Sequence, residues 1–138
     1  MQAELVAHAE RWGVAECVRF IPRIDDPVEI LSVLDVFVMP SLNEGLGLGL
    51  MEAMSCARAV VGSNVGGIKS LIIHGKNGLL VPPQQPAALA DALITLLRDP
   101  HMREQLGNRA RSFIADRFTL DRMVEQTELV YAECLRKE

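Results

Sequence analysis

Between residues 3 and 12 apolar side chains recur at helical spacing, with Leu5, Val6, Ala9 and Trp12 on one face, and Gly13 ends the stretch. Cys17-Val18-Arg19-Phe20-Ile21 has the character of a short strand stopped by Pro22. Asp26 then offers an N-cap and Pro27 a first helical position, ahead of a short stripe of Val28, Ile30, Leu31 and Leu34. Asp35 to Met39 is an almost unbroken apolar run, as suits a strand covered on both faces. The pattern goes on to predict a loop over 40–45, a helix over 48–57 and a second buried strand over 59–62. Gly66-Gly67 starts a turn, and 68–73 reads as a short helix or turn. His74-Gly75-Lys76-Asn77-Gly78 is a turn by composition, and Leu79-Leu80-Val81 is an apolar strand closed by Pro82-Pro83. Helices are predicted over 86–98, 101–118 and 120–137, punctuated by Asp99-Pro100 and Thr119. Strands alternating with helices predict an α/β fold with a parallel sheet: one domain over 1–138, with an α/β core at 1–118 and a C-terminal helix at 119–138.

Composition narrows the functions open to such a domain. The 138 residues suffice for one compact domain, and 49% hydrophobic residues supply a core. With 14 Lys and Arg against 18 Asp and Glu, the formal charge of −4 gives no basic footprint for nucleic acid. It leaves open the binding of a small anion by local backbone dipoles. Cys17, Cys56 and Cys134 share no metal-ligand spacing and are odd in number, so reduced thiols in a cytoplasmic protein are expected, with Cys17 and Cys56 buried as small hydrophobes. His8, His74 and His101 likewise suggest no metal, and His74 is expected to face solvent. Glu4, His8 and Glu10 replace the basic start and apolar block of a signal peptide, and Glu29, Asp35 and Pro40 interrupt the one stretch that approaches a membrane span. Met39, Met51 and Met54 are expected to fill the core.

Candidate chemistry concentrates between Pro40 and Met54, where a buried strand ends, a loop follows and a helix begins. Open α/β sheets bind ligands at the carboxyl ends of their strands. Gly45, Gly47 and Gly49 let the backbone approach a ligand, and the first turn of the helix offers unpaired N–H groups at a positive dipole end, which suits a phosphate. Glu44 stands at the mouth of this loop. Glu52 lies about five residues inside the helix, roughly 7.5 Å along its axis, and helical side chains tilt back toward the N-terminus. A carboxylate set against a phosphate is repulsive, so both are better employed on hydroxyls, which a nucleotide sugar offers on either side of its pyrophosphate. The alternative from spacing alone is that Glu44 caps the helix and Glu52 is a surface residue.

Glu44-Gly-Leu-Gly through Glu52-Ala-Met resembles the E-x7-E motif of retaining glycosyltransferases of family four, which have the GT-B fold. The neighbours agree: Asp35-Val-Phe-Val-Met-Pro-Ser resembles that family's strand before the motif, and Ala59-Val-Val-Gly with Val65-Gly-Gly its next strand and Gly pair. Gly75-Lys-Asn-Gly-Leu-Leu-Val-Pro-Pro resembles the hairpin that follows, and Leu89-Ala-Asp-Ala-Leu continues the match, which runs from about Val18 to Phe118. The resemblance implies a partial Rossmann-like sheet with flanking helices, the C-terminal half of a GT-B enzyme, and favours a transferase over a nucleotide-sugar epimerase of the same fold. It implies a nucleotide-diphosphate sugar as donor substrate, no cofactor and no metal. It gives Glu44 the hydroxyls of the donor sugar as a catalytic contact, and the amides of Gly45, Leu46 and Gly47, with Leu48 at the helix start, the sugar and phosphate. Glu52 takes the ribose diol, and the loop after Ile21 lies near the base.

The same resemblance marks departures. Ala57 and Ala59 stand where the family usually has Gly and Pro, and Ser70 where it usually has Glu. The family's Gly-Arg strand end and downstream Lys, which clamp the pyrophosphate, have no counterpart at a matching position; Arg19 and Arg23 are nearby but read as solvated. With the dinucleotide-fold strand order 3-2-1-4-5-6, this chain carries strands three to six, and the first two would separate Cys17–Ile21 from Phe37–Met39. That leaves apolar edges exposed and predicts repacking, self-association or pairing with a separate chain that supplies the rest. The apolar face of the final helix, with Met123, Leu129 and Val130, also lacks a partner. Two readings stand: an active transferase assembled with a second chain, and a non-catalytic binding module retaining part of the donor site.

Overall fold

The apolar runs at 36–39, 59–63 and 79–81 form a parallel sheet in the computed structural model, which describes residues 2–136. Strand β1 (Val36–Met39) pairs with β2 (Ala59–Ser63), and β2 pairs with β3 (Leu79–Val81). The register sets Val36 opposite Ala59 and Val61 opposite Leu79. β2 has a neighbour on each edge and is buried along its whole length, which is why all five of its residues are apolar or small. β1 is only half-buried, because its other edge pairs with no strand among the described residues.

The helices are α1 (Gln2–Arg11), α2 (Pro27–Val33), α3 (Leu48–Ser55), α4 (Ile68–Leu71), α5 (Pro86–Arg98), α6 (Pro100–Arg117) and α7 (Leu120–Leu135), and α3, α4, α5 and α6 pack on the sheet. Three helix starts carry side-chain caps, at Asp26 as the sequence predicts and at Asp99 and Thr119, which read only as punctuation between helices. The Asp26 carboxylate accepts from the Val28 amide at 2.9 Å, Asp99 from Met102 at 2.9 Å and the Thr119 hydroxyl from Arg122 at 3.2 Å. Period-two alternation along β2 divides the core. Val60 packs on one face with Leu50 and Met54 of α3, Ile68 and Leu71 of α4 and Ile114 of α6. Ala59 and Val61 pack on the other with Leu79, Val81, Leu96 and Leu106. Met39 and Met51 pack at the border of the first cluster, as core fillers do.

Helix α6 reaches both clusters because it lies close to the end of α3. A β-carbon on Gly107 would stand 2.1 Å from the Ala57 carbonyl oxygen, so the two backbones touch with no room for a side chain. Ala57 itself carries a left-handed φ of 56° at the end of α3. A β-carbon is strained there, and a glycine is not. Ala57→Gly is expected to raise the unfolding free energy by about 0.5–1 kcal/mol, read from the urea midpoint at unchanged slope. A lower midpoint would show that the methyl group contributes more than the backbone strain costs.

Two expectations need correction. Cys17–Ile21 is not a strand: residues Ala15–Cys17 form a single 3-10 turn, and the following residues pair with no strand. Val18 has extended dihedrals (φ −106°, ψ 129°), so the local preference is expressed, but a strand exists only through a ladder with a neighbour and none lies beside it here. The sheet therefore has three strands where four were expected. Cys17 consequently lies exposed, not buried, because no sheet covers it, whereas Cys56 is half-buried against the first core cluster. The unpartnered face of the last helix is as expected: Met123, Leu129 and Val130 are exposed and α7 buries none of its residues. The end of the helix predicted over 120–137 falls partly on Lys137, outside the described residues.

Candidate functional site

The carboxyl ends of β1 and β2 open into the two loops that build the site. After β1, residues 40–47 lead to α3, and Gly47 occupies its N-cap position with φ 74° and ψ 52°. Only a residue without a β-carbon adopts that left-handed geometry without strain, so the glycine sets the angle at which the loop enters the helix. The Glu44 carboxylate turns back, and its Oε1 accepts from the Gly47 amide at 3.2 Å. This is the local cap that spacing alone allowed. Gly45, Leu46 and Leu48 are exposed beside it, while Gly47 is buried.

After β2, the chain turns at once onto this loop. The Gly67 amide donates to the Glu44 carbonyl oxygen at 2.8 Å. A β-carbon on Gly66 would stand 2.2 Å from that same oxygen, and one on Gly67 would stand 2.1 Å from the Gly45 carbonyl oxygen. Buried Ile68 and Leu71 anchor the other side of this turn in the core. The Gly-Gly doublet was legible as a turn; that it presses on the backbone of Glu44 and Gly45 was not, because the contact joins residues more than twenty positions apart.

Glu52 lies one turn into α3, is exposed, and lines a cavity shared with α2. It borders a cavity of about 290 Å³ otherwise walled by apolar groups, among them Ile24, Pro27, Ile30, Leu34 and Phe37. Ile24, in the loop after Ile21, thus lines the same cavity as Glu52. Arg58 holds the wall in place: its guanidinium donates to the Leu34 carbonyl at 3.1 Å and the Ser32 carbonyl at 3.2 Å, at the end of α2, and to Cys56 at 2.9 Å, just past α3. Sequence reasoning passed over Arg58, and only its position just before β2 hinted at it. Leu46 borders a different and larger cleft, of about 580 Å³, with Met51, Phe118, Leu120 and Met123. Glu44, Gly45, Leu46 and Gly47 thus lie in one loop with Leu48 opening α3, and Glu52 lies on the flank that shares a cavity with α2.

The other candidates are peripheral. Arg23 pairs with Asp25 at 2.7 Å on the surface, and Arg19 is exposed. His74 is exposed, and its Nδ1 accepts from the Leu80 amide at 3.0 Å, a role in shaping the turn before β3. Among the described residues, no group of three or more His, Cys, Asp or Glu side chains is placed to hold a metal ion, and no helix is long and apolar enough to cross a membrane.

Known proteins share this chain's sequence family and fold. Residues 1–113 match the family described as "Glycosyl transferases group 1". D-inositol 3-phosphate glycosyltransferase of Jonesia denitrificans is 39% identical over 130 residues, covering 93% of this chain and 30% of that protein. Among solved structures, Anabaena Alr3699/HepE in complex with UDP superposes with a TM-score of 0.91 at 26% identity, over 95% of this chain and 36% of that one. The C-terminal domain of the group 1 glycosyl transferase LpcC from Francisella tularensis superposes with a TM-score of 0.78 at 29% identity, over 86% of this chain and 63% of that one. The chain spans about a third of the length of the curated relatives it matches. Its α/β architecture is that of GT-B glycosyltransferases, and the segment it aligns with is their C-terminal one. By sequence and fold together, this chain belongs to the group 1 glycosyl transferases.

Proposed function

We propose that this chain is the donor-binding part of a retaining glycosyltransferase of family four, which moves a sugar from a nucleotide diphosphate to an acceptor once the remainder of the enzyme is in place. The observation that carries the reading is the loop from Glu44 to Leu48 at the carboxyl end of a parallel sheet, followed by Glu52 beside an apolar cavity. Ligands of open α/β sheets sit at this end. The complex of the structural neighbour HepE with UDP supports a nucleotide as the occupant.

In this reading the base lies against the apolar wall near Ile24 and Phe37, and Glu52 accepts from the ribose hydroxyls. The pyrophosphate meets the amides of Gly45, Leu46 and Gly47 and the start of α3, whose dipole favours negative charge. Glu44 leaves the Gly47 amide to a phosphate or sugar oxygen and turns to the hydroxyls of the donor sugar. When the bond from the anomeric carbon to the phosphate oxygen breaks, charge develops on the departing diphosphate, where the loop amides and helix start stabilise it in place of a metal ion. The acceptor hydroxyl oxygen then bonds to the anomeric carbon on the face the phosphate left, and its proton passes to an oxygen of the departing diphosphate. The open edge of β1 takes the remaining strands of the domain.

A second reading, a binding module without turnover, draws on one observation: the Glu44 carboxylate already caps the loop, so the site closes on itself without a donor. Calorimetric titration of the chain with UDP, GDP and ADP separates the possibilities. Binding of one nucleotide, weakened by Glu52→Ala, supports the donor site and identifies the base. Sugar transfer after the complementary part of the enzyme is added distinguishes the transferase from the binding module. No binding of any nucleotide at millimolar concentration, with the complementary part of the enzyme present, would overturn both.

A further inference from the structure

Three features remain beside the named site residues: the polar cleft around Asp35 and Arg103, the apolar cleft between Leu46 and α7, and the glycine turn after β2. The first is closed by its own pairs, with Arg103 donating to Asp35, Leu96 and Leu97. Nothing in the structure commits the second to one occupant. The third acts on the candidate site directly.

We propose that Gly66 and Gly67 are positioning residues that orient the amides of the donor loop, an inference that rests on the donor-site reading above. The carbonyl of Glu44 is bound by the Gly67 amide at 2.8 Å, and the carbonyl of Gly45 lies against the Gly67 α-carbon, where a β-carbon would approach to 2.1 Å. Two successive carbonyls thus face the same glycine. All peptide bonds among the described residues are trans. In a trans peptide the N–H points opposite to the C=O. The amide following each of these carbonyls, that of Gly45 and that of Leu46, is therefore turned away from Gly67, toward the exposed side of the loop. Successive amides aimed outward form a concavity suited to an anion. The doublet does this by having no side chains: Gly66 also carries a φ of +35°, and its β-carbon would stand 2.2 Å from the Glu44 oxygen. Buried Ile68 and Leu71 keep the turn from retreating. An added methyl group at either position displaces the 44–46 backbone and with it the direction of both amides.

The test uses the whole chain with Gly67→Ala, and Gly66→Ala as a second variant, titrated with UDP, GDP and ADP and with uridine, guanosine and adenosine. The wild type is expected to bind one diphosphate more tightly than its nucleoside. The variants are expected to lose about 10-fold or more of that diphosphate-to-nucleoside ratio, the scale of hydrogen bonds to a charged group, while nucleoside affinity stays unchanged. A merely structural glycine would lower both affinities together or neither, leaving the ratio intact, and that result overturns the proposal while sparing the donor site. A wild type that binds no diphosphate overturns the donor site itself. If neither variant folds by circular dichroism, ¹⁵N-labelled wild type decides: the Gly45 and Leu46 amide signals should move with the diphosphate and not with its nucleoside, and stationary signals there would refute the orientation.

Discussion

Gly107→Ala is expected to destabilise the protein by about 3 kcal/mol, as overpacking against a rigid neighbour does at its upper range. Helix propensity points the other way, since alanine is favoured over glycine inside a helix by about 1 kcal/mol. The sign of the measured change therefore decides which effect wins. The new β-carbon would stand 2.1 Å from the Ala57 carbonyl oxygen and 2.8 Å from its carbon. Those are backbone atoms and cannot rotate aside. Helix α6 would have to lift away from the end of α3. Because α6 contributes Leu106 to one core cluster and Ala110 and Ile114 to the other, that movement loosens both faces of the sheet. Thermal unfolding should show a midpoint lowered by about 10 °C. A midpoint equal to or above that of the wild type would mean that α6 does not approach Ala57 so closely.

Glu52→Ala is expected to weaken nucleotide binding about 30- to 100-fold while changing stability by no more than about 0.5 kcal/mol. The two effects separate because the Glu52 carboxylate is exposed and makes no hydrogen bond that the fold requires. Hydrogen bonds to a charged group contribute about 1.5–3 kcal/mol, and the proposed partner is a ribose diol. The assignment is sharpened by the ligand. A 2′,3′-dideoxynucleotide should bind the wild type as weakly as the natural nucleotide binds the variant. The two deletions together should cost little more than either one, as expected of partners in a single interaction. Additive losses would place Glu52 elsewhere on the ligand or outside the site.

The parts of the fold that were legible in sequence are those fixed by local chemistry. The runs at 36–39, 59–63 and 79–81 are strands because each is apolar on both faces. Asp26 caps α2 through a hydrogen bond to the amide two residues on, so its role is visible from spacing, while Asp99 and Thr119, legible only as breaks between helices, cap α6 and α7 in the same local way. Cys17–Ile21 failed because strand propensity describes a surface that fits a sheet, and a sheet needs a neighbour. Gly107 gave no warning. It sits in a polar helical stretch, and its role depends on the backbone of Ala57, fifty positions earlier. The site divides in the same way. The loop and helix start that hold Glu44, Gly45, Gly47 and Glu52 were legible. The capping of Gly47 by Glu44 was one of two readings left open, and the Gly66-Gly67 contact and the Arg58 tie are long-range and were not seen.

The unpaired edge of β1 has a consequence for what can settle on it. Only four residues offer ladder groups, and Pro40 follows directly. An unfolded peptide joining that edge would give up about 1–2 kcal/mol of backbone entropy for each residue it fixes, against a net gain of about 0.5–1.5 kcal/mol per hydrogen bond. So short a ladder cannot recruit loose chains. It rewards a strand already held straight by a folded body, whose ordering was settled beforehand. By this comparison the edge suits a strand already ordered within a folded body better than a loose segment.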